Sequence, residues 1–152
     1  LVTVDCADVN DPESRPWIKY GAALSPRDMI VQAGCERSVE FVHDTSLNYA
    51  RGCHRRFDFI FLDGGHGAET VYAEIPMALA LLEPNGAILL HDYFPGLKPL
   101  WSNGVVIPGP FLAVERLIAE GLPARAVPLG ELPWPTKENS RTTSLALLLK
   151  TG

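Results

Sequence analysis

Four side chains suited to acid–base chemistry or metal binding follow two apolar stretches of the sequence. Asp63 and His66 follow the stretch FDFIFL, and His91 and Asp92 follow the stretch AILL. Carboxylates and imidazoles accept and donate protons in enzymes, and both are common metal ligands. Their placement after two similar stretches predicts a site for proton transfer, for metal binding, or for both.

The segments around these residues have the pattern of a strand–helix–strand unit. Residues 57–63 and 86–92 are short apolar runs, as expected of parallel strands whose two faces are covered. The connection over 68–82 has helical spacing, although Pro76 should kink or split that helix. Ligands of open α/β sheets bind at the carboxyl ends of the strands. We therefore expect one pocket at this edge, roofed partly by residues 94–110.

The rest of the chain continues the alternation of strands and helices. Apolar runs and turn residues predict further strands at 1–6, 38–43, 124–129 and 142–150, and helices at 26–34, 45–52 and 111–121. Such alternation predicts an α/β fold with three layers, α/β/α, around a mostly parallel sheet. The first four strands should be parallel members of one sheet. No helix separates the last two strands, so we expect an antiparallel C-terminal strand.

Composition and charge limit the class of protein. The chain has 152 residues, of which 47% are hydrophobic and 20% are charged, so we expect a single domain over residues 1–152. The net charge of −5 argues against a nucleic-acid partner. No apolar run approaches the roughly 20 residues of a membrane span. Three widely spaced cysteines fit reduced thiols in a cytoplasmic protein better than disulfides or a zinc site.

Several motifs of this chain resemble the class I S-adenosylmethionine-dependent methyltransferases, and among them the small-molecule O-methyltransferases. The matching segments are the D-G-x-H element at 63–66, the H-D-Y element at 91–93, the turn at 82–86, and the segments 108–114 and 144–150. The resemblance implies a Rossmann-like fold. It also implies S-adenosylmethionine as cofactor and methyl transfer to a hydroxyl group of a small molecule.

The resemblance also implies which residues bind the cofactor. Asp5 corresponds to the acid that accepts hydrogen bonds from the ribose hydroxyls, and Asp44 with Thr45 would lie near the adenine. Asp63 and Gly64 would lie beside the transferred methyl group. Each acid has a structural alternative, because Asp5 can be a solvated strand end and Asp44 or Thr45 can cap a helix.

Three residues are predicted to be catalytic, namely Asp63, His66 and Asp92. His66 can deprotonate a hydroxyl near neutral pH, or it can cap the helix that follows. Asp63, Asp92 and His91 are also the predicted metal ligands, since related enzymes often bind a divalent ion at these strand ends. His91 in place of a carboxylate would shift the preference from magnesium toward a softer ion.

One part of the family pattern has no counterpart in this sequence. The family's first strand and its glycine-rich turn are absent, and Leu1 to Asp5 aligns with the second strand. We therefore expect an N-terminally truncated domain that binds the cofactor weakly or not at all. A second copy in a homo-oligomer or an additional chain segment would complete the sheet.

Two other functions are weighed against methyl transfer. A non-catalytic interaction domain with a methyltransferase-like fold would explain the missing glycine-rich strand. A metal-dependent hydrolase would use the D-x-x-H and H-D pairs as ligands, but those enzymes are all-helical and these residues follow strands. Binding of S-adenosylhomocysteine would separate the methyltransferase from both alternatives.

Overall fold

A computed structural model describes residues 1–137 and 140–151 of the chain. The chain forms two compact units, Leu1–Gly52 and Cys53–Gly152. The prediction of a single domain over 1–152 stays a prediction. Among the described residues, no helix is both long enough and apolar enough to cross a membrane.

The first unit contains two parallel strands and two short helices. Its elements are β1 (Val2–Asp5), α1 (Pro26–Gln32), β2 (Glu40–His43) and α2 (Ser46–Gly52), with 3-10 turns at Pro16–Tyr20 and Glu36–Ser38. β1 and β2 pair in parallel, with Asp5 opposite His43. Helix α1 begins where predicted, because the Ser25 hydroxyl accepts the Asp28 N–H at 3.1 Å.

The second unit is a four-stranded sheet with two longer helices. Its elements are β3 (Phe57–Leu62), α3 (Ala68–Leu81), β4 (Leu82–Leu90), α4 (Pro108–Ala119), β5 (Ala124–Pro128) and β6 (Ala146–Lys150), with a 3-10 turn at Pro95–Leu97. The strand order is β3-β4-β6-β5. β3 and β4 are parallel, whereas β6 runs antiparallel to both of its neighbours. The predicted α/β fold with an antiparallel C-terminal strand is therefore confirmed.

The buried hydrophobic residues of the described chain all lie in the second unit. Helix α3 contributes Val71, Ile75, Ala78 and Leu79, which are spaced along one helical face as predicted. Helix α4 contributes Ala113, Val114 and Leu117, and the sheet contributes Leu82, Ile88, Leu90, Ala124, Ala146 and Leu148. This core fixes where β3 and β4 end in space, and so where the residues that follow these strands lie.

The strands differ from prediction in how they are grouped. The first four were expected in one sheet, but β1 and β2 form a separate two-stranded sheet. The parallel direction within each pair was predicted correctly. Among the described residues, no strand pairs with members of both groups, so spacing along the chain did not determine the pairing.

Helix α3 and strand β4 also differ from prediction at their junction. The helix is continuous through Pro76, because residues on both sides of the proline pack into the same core. Residues 82–86, expected to form a turn, belong to β4. The ladder to β3 shifts register there, with Phe57 opposite Leu82 and Phe59 opposite Ala87. The extra residues of β4 therefore form a bulge.

Cationic side chains bind the carbonyl groups at the end of α3. The Lys150 ammonium donates to the Leu82 carbonyl oxygen at 3.1 Å, and the Arg56 guanidinium donates to the Ala80 and Leu82 carbonyl oxygens. Positive charge is favourable at a helix C-terminus, where carbonyl groups lack partners within the helix.

Candidate functional site

The two strands of the predicted site end side by side. β3 ends at Leu62 and β4 ends at Leu90, and these residues are opposite each other in the ladder. The His91 N–H donates to the Leu62 carbonyl oxygen at 3.0 Å. Asp63 and His91 therefore leave adjacent parallel strands at the same edge of the sheet.

The structure brings the four predicted side chains of this edge together. His91 Nδ1 lies 3.0 Å from Asp63 Oδ1 and 3.1 Å from Asp92 Oδ1. His66 Nδ1 lies 3.2 Å from the other Asp92 oxygen, Oδ2. Neither carboxylate is aligned for a hydrogen bond with the buried His91 Nδ1, so those two contacts are mainly electrostatic. Asp92 thus connects both histidines.

Asp92 is buried and has an unusual backbone conformation. Its φ angle is 53°, in the left-handed region that residues other than glycine rarely adopt. Its Oδ1 accepts a hydrogen bond from the buried Ser144 hydroxyl at 3.3 Å. Strained conformations persist where the surroundings hold them, and they cluster at functional sites.

His66 lies in the glycine-rich loop between β3 and α3. Helix α3 begins after Gly67, and no side chain caps it, so the alternative role of His66 as a helix cap is wrong. The His66 side chain is 45% exposed, and its Nδ1 lies against Asp92. This arrangement leaves the second ring nitrogen, Nε2, for contact with a substrate.

The first turn of α4 packs against the backbone of the His66 loop. A Cβ atom on Gly109 would overlap the His66 carbonyl oxygen and would lie 2.8 Å from the Ala68 nitrogen. Only glycine allows two backbone segments to approach this closely. Gly109 therefore fixes the position of the loop that carries His66.

A small cavity adjoins three of the four side chains, those of Asp63, His66 and His91. Its volume is about 10 Å³, close to the space of one water molecule, and the buried Glu74 of α3 lines it beside Asp63, His66 and His91. Of the segment 94–110, which was expected to form a roof, Pro110 is the residue that lines this cavity.

In the first unit, the predicted cofactor residues bind their own backbone. Asp5 Oδ1 accepts the Ala7 N–H at 2.8 Å. Asp44 Oδ1 accepts the Thr45 N–H at 2.7 Å, and the Thr45 hydroxyl accepts the Asn48 N–H at 3.2 Å. The capping role that was the alternative is thus present for Thr45 at the start of α2, whereas Asp44 accepts the N–H of Thr45 before the helix begins. Their cofactor roles stay predictions.

Two features leave space beside predicted cofactor residues. A cavity of about 100 Å³ in the first unit is lined by Asp5, Arg27 and His43 among others. It is smaller than the roughly 300–1,000 Å³ of pockets that enclose a drug-sized ligand. In the second unit, nothing lies within 4 Å of a Cβ placed on Gly64, so a ligand can approach that backbone.

The sequence also matches a family model. Residues 1–93, more than half of the chain, match the model described as a methyltransferase domain. The chain belongs to this family of methyltransferase domains. The resemblance to class I methyltransferases is therefore confirmed. No curated protein sequence matches the chain.

Solved structures of methyltransferases share the fold. The O-methyltransferase from Bacillus cereus in complex with SAH is 20% identical, with a TM-score of 0.61 over 99% of this chain and 62% of that one. TomG, an O-methyltransferase from Streptomyces achromogenes involved in tomaymycin synthesis, was solved in complex with SAM. It is 17% identical, with a TM-score of 0.61 over 100% of this chain and 62% of TomG. This methyltransferase domain thus spans about three-fifths of their length.

The predicted metal site of this methyltransferase domain gains no support from the geometry. Among residues 1–137 and 140–151, no three His, Cys, Asp or Glu side chains are placed to hold a metal ion. His91 Nδ1 faces two carboxylates, a setting that suits a ring N–H and not a nitrogen lone pair. Metal binding by Asp63, His91 and Asp92 stays a prediction.

Sequence analysis did not identify two residues that hold this site. Ser144 contacts Asp92 across 52 positions of sequence, and no local pattern indicates that contact. Gly109 stands between two prolines at the start of α4. A glycine between two prolines at the start of a helix can indicate that another backbone segment approaches closely. This was the signal that the sequence offered for Gly109.

Proposed function

We propose that this methyltransferase domain transfers a methyl group from S-adenosylmethionine to a hydroxyl group of a small molecule. The family match and the shared fold support the methyltransferase activity. The contact between His66 Nδ1 and the buried Asp92 supports the choice of a hydroxyl acceptor. A hydroxyl must lose its proton to become a good nucleophile, and a histidine–carboxylate pair can accept that proton.

In this proposal His66 is the general base. Its Nδ1 lies 3.2 Å from Asp92 Oδ2, and in this mechanism the ring aligns so that Nδ1–H donates to that oxygen and Nε2 carries the lone pair. Nε2 takes the hydroxyl proton while the hydroxyl oxygen forms a bond to the methyl carbon. The bond from that carbon to the sulfonium sulfur breaks, and S-adenosylhomocysteine leaves with the electron pair. The Asp92 carboxylate stabilises the imidazolium that forms, as in other histidine–aspartate pairs.

The other predicted residues have supporting roles. Asp63 contacts His91, and both would be close to the reacting groups at the strand ends. Asp5, Asp44 and Thr45 would bind the ribose and adenine of the cofactor. Carboxylates that now accept backbone N–H groups can accept hydroxyl or amino hydrogens from a ligand at small cost.

Metal assistance is the alternative means of activating the hydroxyl. A divalent ion on Asp63, His91 and Asp92 would lower the pKa of the hydroxyl and orient it. We favour His66 as the base, because the His91 nitrogen faces carboxylates and His66 already pairs with Asp92. Activity that is lost on chelation and restored by added metal would favour the metal instead.

The experiment compares His66→Ala with a matched histidine variant. The purified protein is incubated with S-adenosylmethionine and a panel of phenols and sugars, and S-adenosylhomocysteine is measured by mass spectrometry. His66→Ala should lower its formation about 10²–10⁴-fold, the usual contribution of a general base. His54→Ala, at an exposed histidine of the same unit, should have no effect.

Two results would contradict the proposal. If His66→Ala retains full methyl transfer, His66 is not the base. If a protein that also carries the family's first strand binds neither S-adenosylmethionine nor S-adenosylhomocysteine in calorimetry, the non-catalytic interaction domain becomes the better description. The division of the strands into two separate sheets is the observation that favours that second candidate.

A further inference from the structure

Ser144 makes two hydrogen bonds to one short segment of the proposed active site. Its hydroxyl donates to Asp92 Oδ1 at 3.3 Å. Its carbonyl oxygen accepts the Tyr93 N–H at 2.7 Å. Ser144 is 3% exposed, so both hydrogen bonds are shielded from water. The side chain and the backbone of one residue therefore hold Asp92 and the peptide that follows it.

The position of Ser144 is set by the sheet. β6 begins two residues later, and its first residue, Ala146, is opposite Leu90 at the end of β4. The ladder therefore brings the segment before β6 alongside the segment after β4. β6 is bonded to strands on both sides, and Ser144 lies two residues before it.

The strained backbone of Asp92 explains why such a support is needed. A residue with a φ of 53° can relax to the extended or helical region unless its neighbours prevent it. If Asp92 relaxed, its carboxylate would turn away from His66 Nδ1, which now lies 3.2 Å from Oδ2. Both oxygens have distinct partners, since Oδ1 contacts Ser144 and His91 while Oδ2 contacts His66.

We propose that Ser144 is a positioning residue for methyl transfer. Its hydroxyl fixes the rotation of the Asp92 carboxylate, so that one oxygen remains for His66 and sets the tautomer of that imidazole. Ser144 does not touch the reacting atoms and acts only through Asp92. The proposal rests on the proposed function for its link to methyl transfer, but the effect on the His66 tautomer can be measured without a substrate.

The test observes the imidazole nitrogens directly. The protein is labelled with ¹⁵N-histidine, and its side-chain spectra are recorded at one fixed pH, with His66 assigned through His66→Gln. In the native protein, His66 should show a protonated Nδ1 and an unprotonated Nε2. In Ser144→Ala, the His66 signals should move toward the mixture of tautomers that a solvent-exposed imidazole shows.

Two variants serve as matched controls. Ser144→Thr keeps the hydroxyl and should restore the native His66 signals. Ser14→Ala removes another serine hydroxyl that donates to a carboxylate, at 2.6 Å from Asp11 Oδ2 in the first unit, and should leave His66 unchanged. If Ser144→Ala does not fold, Ser144→Cys keeps most of the volume, and the same shift of the His66 signals is expected.

Activity gives the second readout. Ser144→Ala should lower turnover roughly tenfold, as expected for the loss of one hydrogen bond to a charged group, with an unchanged KM for S-adenosylmethionine. Unchanged His66 signals in a folded Ser144→Ala or Ser144→Cys protein would overturn the proposal. A shift of those signals in a protein that transfers no methyl group would instead uphold the positioning and reject the proposed function.

Discussion

The carboxylates that follow the strands are held differently in the two units. In the first unit, Asp5 is exposed and Asp44 is half-buried, and each accepts the N–H of a residue one or two positions away. In the second unit, Asp63 and Asp92 contact side chains that come from other elements. The first pair is satisfied by local backbone and the second by tertiary structure.

The pKa shifts of titratable groups in the two units differ in the same way, because their causes are local in the first unit and tertiary in the second. In the first unit, the Ser14 hydroxyl and the backbone N–H groups of residues 13 and 14 lower the pKa of Asp11. In the second unit, burial first and the neighbouring Glu115 carboxylate second raise the pKa of Tyr93 to about 12. A preorganised site needs long-range contacts, and the second unit provides them.

The largest expected effect comes from Asp92→Asn. This change keeps the shape of the side chain but removes the charge that stabilises the His66 imidazolium. Turnover should fall about 10²–10⁴-fold, measured as S-adenosylhomocysteine formed per minute. Asp5→Asn, at the end of β1, should leave turnover at saturating cofactor within about threefold, on the scale of a weak neutral hydrogen bond. Equal losses of turnover in Asp92→Asn and Asp5→Asn would show that the carboxylates of the two units do not differ in their importance for catalysis.

A pair of glycine variants compares the two units in stability. Gly109→Ala places a Cβ against the His66 carbonyl oxygen and should lower the free energy of unfolding by about 3 kcal/mol. Gly52→Ala, at the end of α2, has nothing within 4 Å of the new Cβ and should raise it by about 0.5–1 kcal/mol. Urea unfolding followed by circular dichroism measures both. A neutral Gly109→Ala would show that α4 does not hold the His66 loop.

The parts of the site that could be predicted from sequence are those with a local cause. Asp63 and Asp92 follow apolar runs, and parallel strands bring such ends together, so their proximity followed from the pattern. Ser144 could not be found in this way, because its contact with Asp92 depends on the register between β4 and β6. The left-handed backbone of Asp92 also has no local signal, since neighbours in space hold it.

The fold, like the site, could be predicted from the sequence only where its cause is local. Strand direction followed from the alternation of elements, and α3 began at the predicted residue. Its continuity through Pro76 was not predicted, because the penalty for a proline is local whereas the core that offsets it forms from distant residues. The grouping of β1 and β2 into their own sheet likewise depends on pairing, which spacing alone does not reveal.

The cofactor role of the first unit is tested by Asp5→Ala. If Asp5 binds the ribose, its loss in a protein that also carries the family's first strand should weaken the binding of S-adenosylmethionine by about 1–3 kcal/mol in calorimetry. Asp11→Ala is the matched control, because Asp11 also accepts backbone N–H groups but does not follow a strand. Unchanged affinity in Asp5→Ala would leave Asp5 as a structural residue.

The smallest effect near neutral pH is expected at Tyr93. The folded state holds the phenol proton more tightly than the unfolded state, since the pKa is about 12 instead of the ordinary 10.0. The resulting stability is fully present below about pH 10 and is lost as the pH rises toward 12. Tyr93→Phe should remove this alkaline decline in urea unfolding experiments. An identical decline in both proteins would contradict the assignment.

The place of β6 between β4 and β5 has a consequence during synthesis on the ribosome. β6 is the last of the described strands to be made, yet it pairs residue 149 with residue 87 and lies between two strands made earlier. Until it emerges, β4 and β5 expose unpaired edges, and closing so long a loop slows folding. A nascent chain halted before Ser144 would thus be prone to aggregate, and only the arrival of β6 would end that exposure.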